Sequence, residues 1–247
     1  MKTIKKEIEL KGYTIVKKLF SKNEIKDIFS SYEKNIDYCI KLIKGKKNID
    51  NLDKKYLFLK KKNKLLKSRS YDLSKFHPSI YNFALNKKLD KILKNYFKEE
   101  FFLDLPQIRI DDNKNSFILP PHQEIYGQIS QNIITLWAPL SNVSKKKGTM
   151  GLIEGSHKEG IKRHHFYSIN KKKYHGVDKK IIKNAKFKYL NLSPGDAVLF
   201  HPLLIHSSRK NISNKIRWTF VARYNGISGI NYLKSLSSPL RIKQKVK

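Results

Sequence analysis

After residue 100 the apolar residues fall into runs too short to be helices. The runs are "FFLDLPQIRI", "NIITLWAPL", "GTMGLIE", "KYLNL", "DAVLFH" and "IRWTFVARYN", and turn signals such as "KKKGT", "SPGD" and "KNISNK" separate them. In an extended chain successive side chains point to opposite faces. The last run therefore carries Ile216, Trp218, Phe220, Ala222 and Tyr224 on one wholly apolar face, with Arg217, Thr219, Val221 and Arg223 on the other. The run around residue 135 divides in the same way: Ile134, Leu136, Ala138 and Leu140 form a core face, and Thr135 and Trp137 share the opposite one.

Before residue 101 the period is different. A short strand is expected at residues 13 to 16, followed by a turn and a helix that opens on Ser21 with Glu24 three residues later, a capping-box signal. Ile25, Phe29, Tyr32, Ile36, Cys39, Ile40 and Ile43 then recur at helical spacing, so one face of this helix must pack on a partner. Shorter helices are predicted around residues 78 to 85 and 87 to 97, whereas the lysine-rich stretch at 44 to 68 shows weak periodicity. Helices followed by many short strands predict an α+β chain with a mainly β core: a jelly roll, or double-stranded β-helix of cupin-like form, flanked by N-terminal helices. No linker divides the 247 residues, which predicts a single domain, helical over about 1–100 and jelly roll over about 101–225. Residues 157 to 186 are polar and poorly periodic, and are expected to form a long loop of the kind that often serves as a lid.

The formal charge of +33 raises nucleic acid or an anionic membrane as a partner. Of the 53 basic residues only seven are Arg, at positions 69, 109, 163, 209, 217, 223 and 241, and the lysines are spread over the whole length. Base and phosphate readers favour the planar fork of Arg, so a solvated lysine coat is the better reading and nucleic acid is not the expected partner. The charge does favour a basic pocket for a small carboxylate- or phosphate-bearing molecule. The single cysteine, Cys39, excludes an internal disulfide and suits a reducing cytoplasm. "AVLFHPLLI" is too short to span a bilayer, and the N-terminus "MKTIKKEIELKGYTIV" lacks the apolar stretch of a signal peptide. A soluble protein is expected.

The residues that carry chemistry begin at "PPHQEIY". Pro120 and Pro121 disfavour helix, so His122 and Glu124 project from one face of an extended segment, while Gln123 points the other way. An imidazole and a carboxylate so placed can converge on one metal ion. "LSPGDAVLFHPLLIHSS" supplies a second imidazole, His206, and two histidines with one carboxylate and open positions describe the facial triad of non-haem Fe(II) oxygenases.

With "PPHQEIY", "ITLWAPLSNVSKKKGTMGLIEGSHK", "LSPGDAVLFHPLLIHSS" and "IRWTFVARYN" in that order, the chain from about residue 104 to 224 resembles the phytanoyl-CoA dioxygenase family of Fe(II)- and 2-oxoglutarate-dependent oxygenases. The resemblance implies that His122, Glu124 and His206 hold Fe(II) and that Arg217 pairs with the distal carboxylate of the co-substrate 2-oxoglutarate. A permanently charged, planar guanidinium suits that task. Ser208 is implied as the hydroxyl partner of the same carboxylate, and Gln107, Thr135 and Trp137 as further co-substrate contacts. The implied activity consumes O2, releases succinate and CO2, and hydroxylates a small metabolite, polar or anionic. In one respect the chain departs from the family pattern: most members carry Asp where Glu124 stands, and the extra methylene moves the carboxylate outward by about 1.5 Å. A retained carboxylate argues against a halogenase, whose relatives carry a small residue there.

Taken singly, each of these residues has an ordinary reading. His206 alone would be a satisfied core histidine, Arg217 and Arg223 would line a solvated sheet face, and Arg223 is expected to lie outside the residues that touch the metal. His157 and His201 are expected to be structural, and His164, His165 and His175 to belong to a basic loop. The alternatives to an oxygenase are a non-catalytic jelly-roll binding protein and a basic protein acting on nucleic acid. The sequence does not determine an oligomeric state.

Overall fold

The computed structural model describes residues 2–43, 49–113, 119–124, 132–169 and 172–229. Residues 44–48 of the lysine-rich stretch, 125 and 126 of the "PPHQEIY" motif, and 170 and 171 of the long polar segment lie outside the described residues. Helix α1 (Lys2–Lys11) leads into β1 (Tyr13–Val16). Gly12 makes that turn with φ of 87°, and a Cβ there would fall 2.6 Å from Leu204 and 2.7 Å from His157, so both conformation and space require glycine. Helix α2 (Lys22–Lys41) starts on the expected capping box of Ser21 and Glu24 and buries Ile25, Ile28, Tyr32, Ile36, Cys39 and Ile40.

Helices α3 (Leu52–Lys62), α4 (Lys64–Ser74), α5 (Pro78–Ala84) and α6 (Lys87–Phe97) follow. The last two occupy the predicted places. Helices α1, α3 and α4 were not visible as patterns, because each buries only a narrow strip. In α1 it is Ile8, and in α3 it is Tyr56 and Leu59. Asn51 and Asn63 supply the N-caps of α3 and α4, each accepting a hydrogen bond from the backbone N–H three residues on.

Strands β2 (Phe101–Asp111), β3 (Ile133–Pro139), β4 (Met150–Leu152), β5 (His164–Ile169) and β6 (Lys172–Val177) come next. A short helix α7 (Lys179–Ile182) then precedes β7 (Lys188–Tyr189), β8 (Ala197–Phe200), β9 (His206–Ser208) and β10 (Arg217–Gly226). They form a large sheet in the order β1-β8-β3-β10-β2 and a small one in the order β7-β4-β9, with every paired neighbour antiparallel. The outer face of the large sheet carries Trp218, Phe220, Ala222, Tyr224, Ile134, Leu136 and Ala138 against the helices. Trp218 is ringed edge-on by Phe29, Tyr32 and Tyr56, and the Tyr224 hydroxyl donates to the Ala84 carbonyl at 2.6 Å. A second core lies between the sheets, with Trp137, Val198, Phe200 and Val221 facing Met150 and Leu152. This is the jelly-roll core with its helical wrapping, and the period-two faces read from the sequence are the faces observed.

Residues 157 to 186 depart from the loop expected there. They include the antiparallel hairpin β5–β6, in which His164 pairs with Val177 and Phe166 with His175. Cations and histidines on both of its faces conceal the alternation. Among the described residues, no helix is long and apolar enough to cross a membrane.

Candidate metal centre

His122 sits where the two prolines deliver the chain to β9. Its backbone N–H donates to the His206 carbonyl at 3.0 Å, and the His206 N–H returns the bond to the His122 carbonyl at 3.1 Å. Two residues later the Glu124 N–H donates to the Pro202 carbonyl at 2.8 Å. Gln123 points away, as its place in an extended segment requires, and its amide is anchored at both ends. The nitrogen donates to the carbonyls of Leu203 and Gly160, and the oxygen accepts the Lys162 N–H. The β5–β6 hairpin braces the same segment: Val177 donates its N–H to the Pro121 carbonyl at 2.7 Å, and His164 Nε2 accepts the Gln123 N–H at 3.2 Å.

The three side chains converge. One ligand atom from each of His122, Glu124 and His206 lies within 4.8 Å of the others, and this is the cluster of metal-binding type among the described residues. Glu124 Oε1 stands 3.7 Å from His122 Nε2 and 3.6 Å from His206 Nε2, too far for hydrogen bonds. Each imidazole has its Nδ1 against a carbonyl of its own segment, that of Pro120 at 2.9 Å for His122 and that of Leu204 at 3.0 Å for His206. A ring whose Nδ1–H is donated to a backbone carbonyl presents the Nε2 lone pair, the tautomer a metal ligand needs. Burial and the neighbouring His122 push the His206 imidazole below its usual range, so it is neutral near pH 7. Burial alone would raise the Glu124 carboxyl, but the Arg223 charge and the two imidazoles outweigh it and hold the group well below the usual carboxylate range. The donor set therefore fits a divalent cation with oxygen and imidazole preferences.

The triad opens on a cavity with about 460 Å³ of empty space, counted out to its open mouth. Its polar wall comprises Arg109, Thr135, Ser208, Arg217 and Thr219, and its apolar wall Leu119, Trp137, Met150, Phe200 and Val221. Thr135 is fully buried, yet its hydroxyl has no hydrogen-bond partner. An unpartnered hydroxyl on the cavity wall fits a polar co-substrate there.

The structure brings seven of the eight sequence-derived site residues to this cavity: His122, Glu124, His206, Thr135, Trp137, Ser208 and Arg217. Gln107 is not on its wall; the Gln107 Oε1 accepts the Tyr71 hydroxyl at 3.0 Å. Arg217 reaches the wall already engaged. Its Nε and Nη2 donate to Asp111 Oδ2 at 3.2 and 2.7 Å, and its Nη1 donates to the carbonyls of Gly148 and Arg209. Arg223 does not line a solvated face: its guanidinium is mostly buried and grips Glu124 Oε2. Arg109, Asp111 and Arg223 were missed as site residues. Arg109 and Arg223 share a strand face with residues already singled out, and that spacing was the available signal. His157 and His201 are structural neighbours as expected, with ring centres 5.1 Å apart and His157 Nε2 against the Glu9 carbonyl.

Comparison with known proteins agrees with the geometry. The family model described as Phytanoyl-CoA dioxygenase (PhyH) matches residues 8–219. The human peroxisomal phytanoyl-CoA dioxygenase is 30% identical over 114 residues, 43% of this chain and 33% of that protein. The 1-deoxypentalenic acid 11-beta-hydroxylase of Streptomyces arenae is 30% identical over 110 residues, 42% of this chain and 38% of that protein. The chain is thus matched to about a third of the length of these relatives. Among solved structures, the epimerase SnoN in complex with Fe3+, alpha ketoglutarate and nogalamycin RO superposes with a TM-score of 0.65 at 14% identity, covering 100% of this chain and 95% of that one. The apo form of the non-heme monooxygenase ThoJ also gives 0.65 at 14% identity, covering 90% of this chain and 77% of that one. At these identities the likeness is one of fold.

Proposed function

Since the chain belongs to the phytanoyl-CoA dioxygenase family, we propose that it is an Fe(II)- and 2-oxoglutarate-dependent dioxygenase that hydroxylates a small anionic metabolite. The observation that carries this reading is the convergence of His122 Nε2, His206 Nε2 and a Glu124 carboxylate oxygen, with each imidazole Nδ1 held against a backbone carbonyl. Iron, when bound, supplies the coupling of O2 reduction and 2-oxoglutarate decarboxylation, with release of succinate and CO2, to oxidation of a C–H bond. The chain's own residues do the rest.

His122, Glu124 and His206 would hold the ion through two imidazole nitrogens and one carboxylate oxygen. Arg217, Ser208 and Thr135 are polar residues of the cavity lining and would receive a co-substrate carboxylate. Trp137, Phe200, Met150 and Val221 exclude water around it. Arg109, from the neighbouring strand β2, adds a second guanidinium to the wall, and this supports an anionic substrate. A reducing cytoplasm suits a chain whose single cysteine, Cys39, is buried.

The test is an anaerobic titration of the protein with Fe(II) and 2-oxoglutarate. A visible charge-transfer band is expected in the wild type and is expected to be lost in His206→Ala. A screen of carboxylates and phosphate esters for stimulated succinate release then identifies the substrate. Absence of the band in a folded wild-type protein would overturn the reading.

A further inference from the structure

Glu124 has two oxygens, and the structure gives them different neighbours. Oε1 faces both imidazoles, at 3.7 and 3.6 Å. Oε2 accepts the Arg223 Nε–H at 3.0 Å and lies 2.9 Å from Nη2 of the same guanidinium. The two side chains are only 11% and 15% exposed, so water competes little for this contact. Arg223 enters from β10 just past a register shift between Val221 and Arg223, and lies opposite Thr135 of β3 and Asp104 of β2. Its position on the sheet is thus fixed from both sides.

A glutamate ligand carries one more rotatable bond than an aspartate, and it can swing to chelate an ion with both oxygens. Chelation would occupy a coordination position that the co-substrate and O2 need. Resting on the metal-centre reading above, we infer that Arg223 is a positioning residue for the metal carboxylate. By holding Oε2 it restricts Glu124 to a single ligating oxygen and takes up the extra length of its side chain. An aspartate at position 124 would be shorter by about 1.5 Å and would lose the grip of Arg223 if it kept its place beside the ion. The glutamate and the arginine work as a pair, and restoring the shorter acid alone is a loss.

The experiment needs no substrate. Co(II) is titrated into the metal-free protein while the visible d–d absorption is followed, for the wild type, Arg223→Gln, Arg223→Lys, Glu124→Asp and the Glu124→Asp/Arg223→Gln double variant. Arg223→Gln is expected to weaken Co(II) binding about ten- to a hundredfold, the range seen when a partner of a metal ligand is removed. It should also change the intensity of the d–d bands as Glu124 turns to chelate. Arg223→Lys should recover part of both. In the Glu124→Asp background Arg223→Gln should change neither, because the contact is already gone.

Additive losses in the double variant would overturn the inference. So would wild-type affinity and bands in folded Arg223→Gln. Should Arg223→Gln fail to fold, Arg223→Lys carries the test, and an unchanged spectrum there overturns it equally. A wild-type protein that binds no Co(II) would instead bring down the metal-centre reading itself, and this inference with it.

Discussion

Replacing Asp111 by Asn should make the protein less stable and its 2-oxoglutarate affinity higher. A guanidinium has five N–H donors. In Arg217 two go to Asp111 Oδ2 and two to the carbonyls of Gly148 and Arg209, which leaves one on Nη2 for a ligand. The Asp111 charge also opposes any incoming carboxylate. At an effective dielectric of about 20, a carboxylate about 4 Å from the guanidinium gains about 4 kcal/mol, and about 7 Å from Asp111 it loses about 2 kcal/mol. Removing that charge is therefore worth about 2 kcal/mol, or roughly thirtyfold in Kd.

The cost falls on folding. Arg217 and Asp111 are 3% and 1% exposed, and leaving a buried charge without its counter-ion destabilises by about 3 to 5 kcal/mol. Asn keeps an acceptor for one N–H, so about 3 kcal/mol is expected, a fall in Tm of roughly 6 to 12 °C for a chain of this size. Anaerobic titration of the Fe(II)-loaded variant with 2-oxoglutarate, followed by its charge-transfer band, measures the first effect, and thermal melts with and without 2-oxoglutarate measure the second. Unchanged or weaker 2-oxoglutarate binding in a folded Asp111→Asn protein would show that Asp111 orients Arg217 for the ligand and does not compete with it.

Three further outcomes follow from the packing. Trp218→Leu removes the bond from Nε1 to Asp53 at 2.7 Å and the edge contacts with Phe29, Tyr32 and Tyr56, and should cost about 3 kcal/mol in urea denaturation, loosening the helices from the sheet. Gly148→Ala forces a side chain onto a residue with φ of 87°, with its Cβ 2.4 Å from the Arg209 carbonyl and 2.5 Å from Arg217 Nη1. Stability should fall by about 2 kcal/mol or more, and displacement of Arg217 should weaken 2-oxoglutarate binding in the same titration. The Asp196 carboxyl is raised by burial but lowered further by Lys17 and by the N–H groups of Ser193 and Lys18, so its folded pKa lies below the ordinary value. A depressed pKa contributes stability that is complete above the unfolded value of about 3.9 and is lost as pH falls through the folded one. Melts of the wild type and Asp196→Ala should therefore differ most above about pH 5 and converge in acid.

What the sequence discloses here is whatever repeats locally. The faces of β3 and β10 were readable because every second residue from Ile134 to Ala138 and from Ile216 to Tyr224 is apolar while polar residues fall only on the other face, and α2 because its cap and stripe lie in one stretch. Helices α3 and α4 were hidden, since α3 buries only Tyr56 and Leu59, α4 buries Ser70 and Ser74, and Leu57, Leu65 and Leu73 face solvent, so neither shows an apolar stripe that matches its buried face. The candidate metal ligands were legible from His122 and Glu124 lying two apart behind prolines, together with the ordered motifs that include His206. Their partners were not. Asp111 meets Arg217 only through the β2–β10 register, which joins residues 106 apart, and Arg223 meets Glu124 across 99 residues. Such pairings are set by long-range register, which no local spacing encodes.

The reciprocal backbone bonds between His122 and His206 have a consequence for how the centre is assembled. They form a single rung of antiparallel ladder joining positions 84 residues apart, so the search that brings the two ring centres within 4.4 Å of each other is completed as the sandwich closes. A cation held by this proposed centre would find its two nitrogen donors already mounted on a shared frame, with little left to organise. Stripping the ion with a chelator should accordingly leave the fold standing, in contrast to small domains whose architecture collapses when their metal departs.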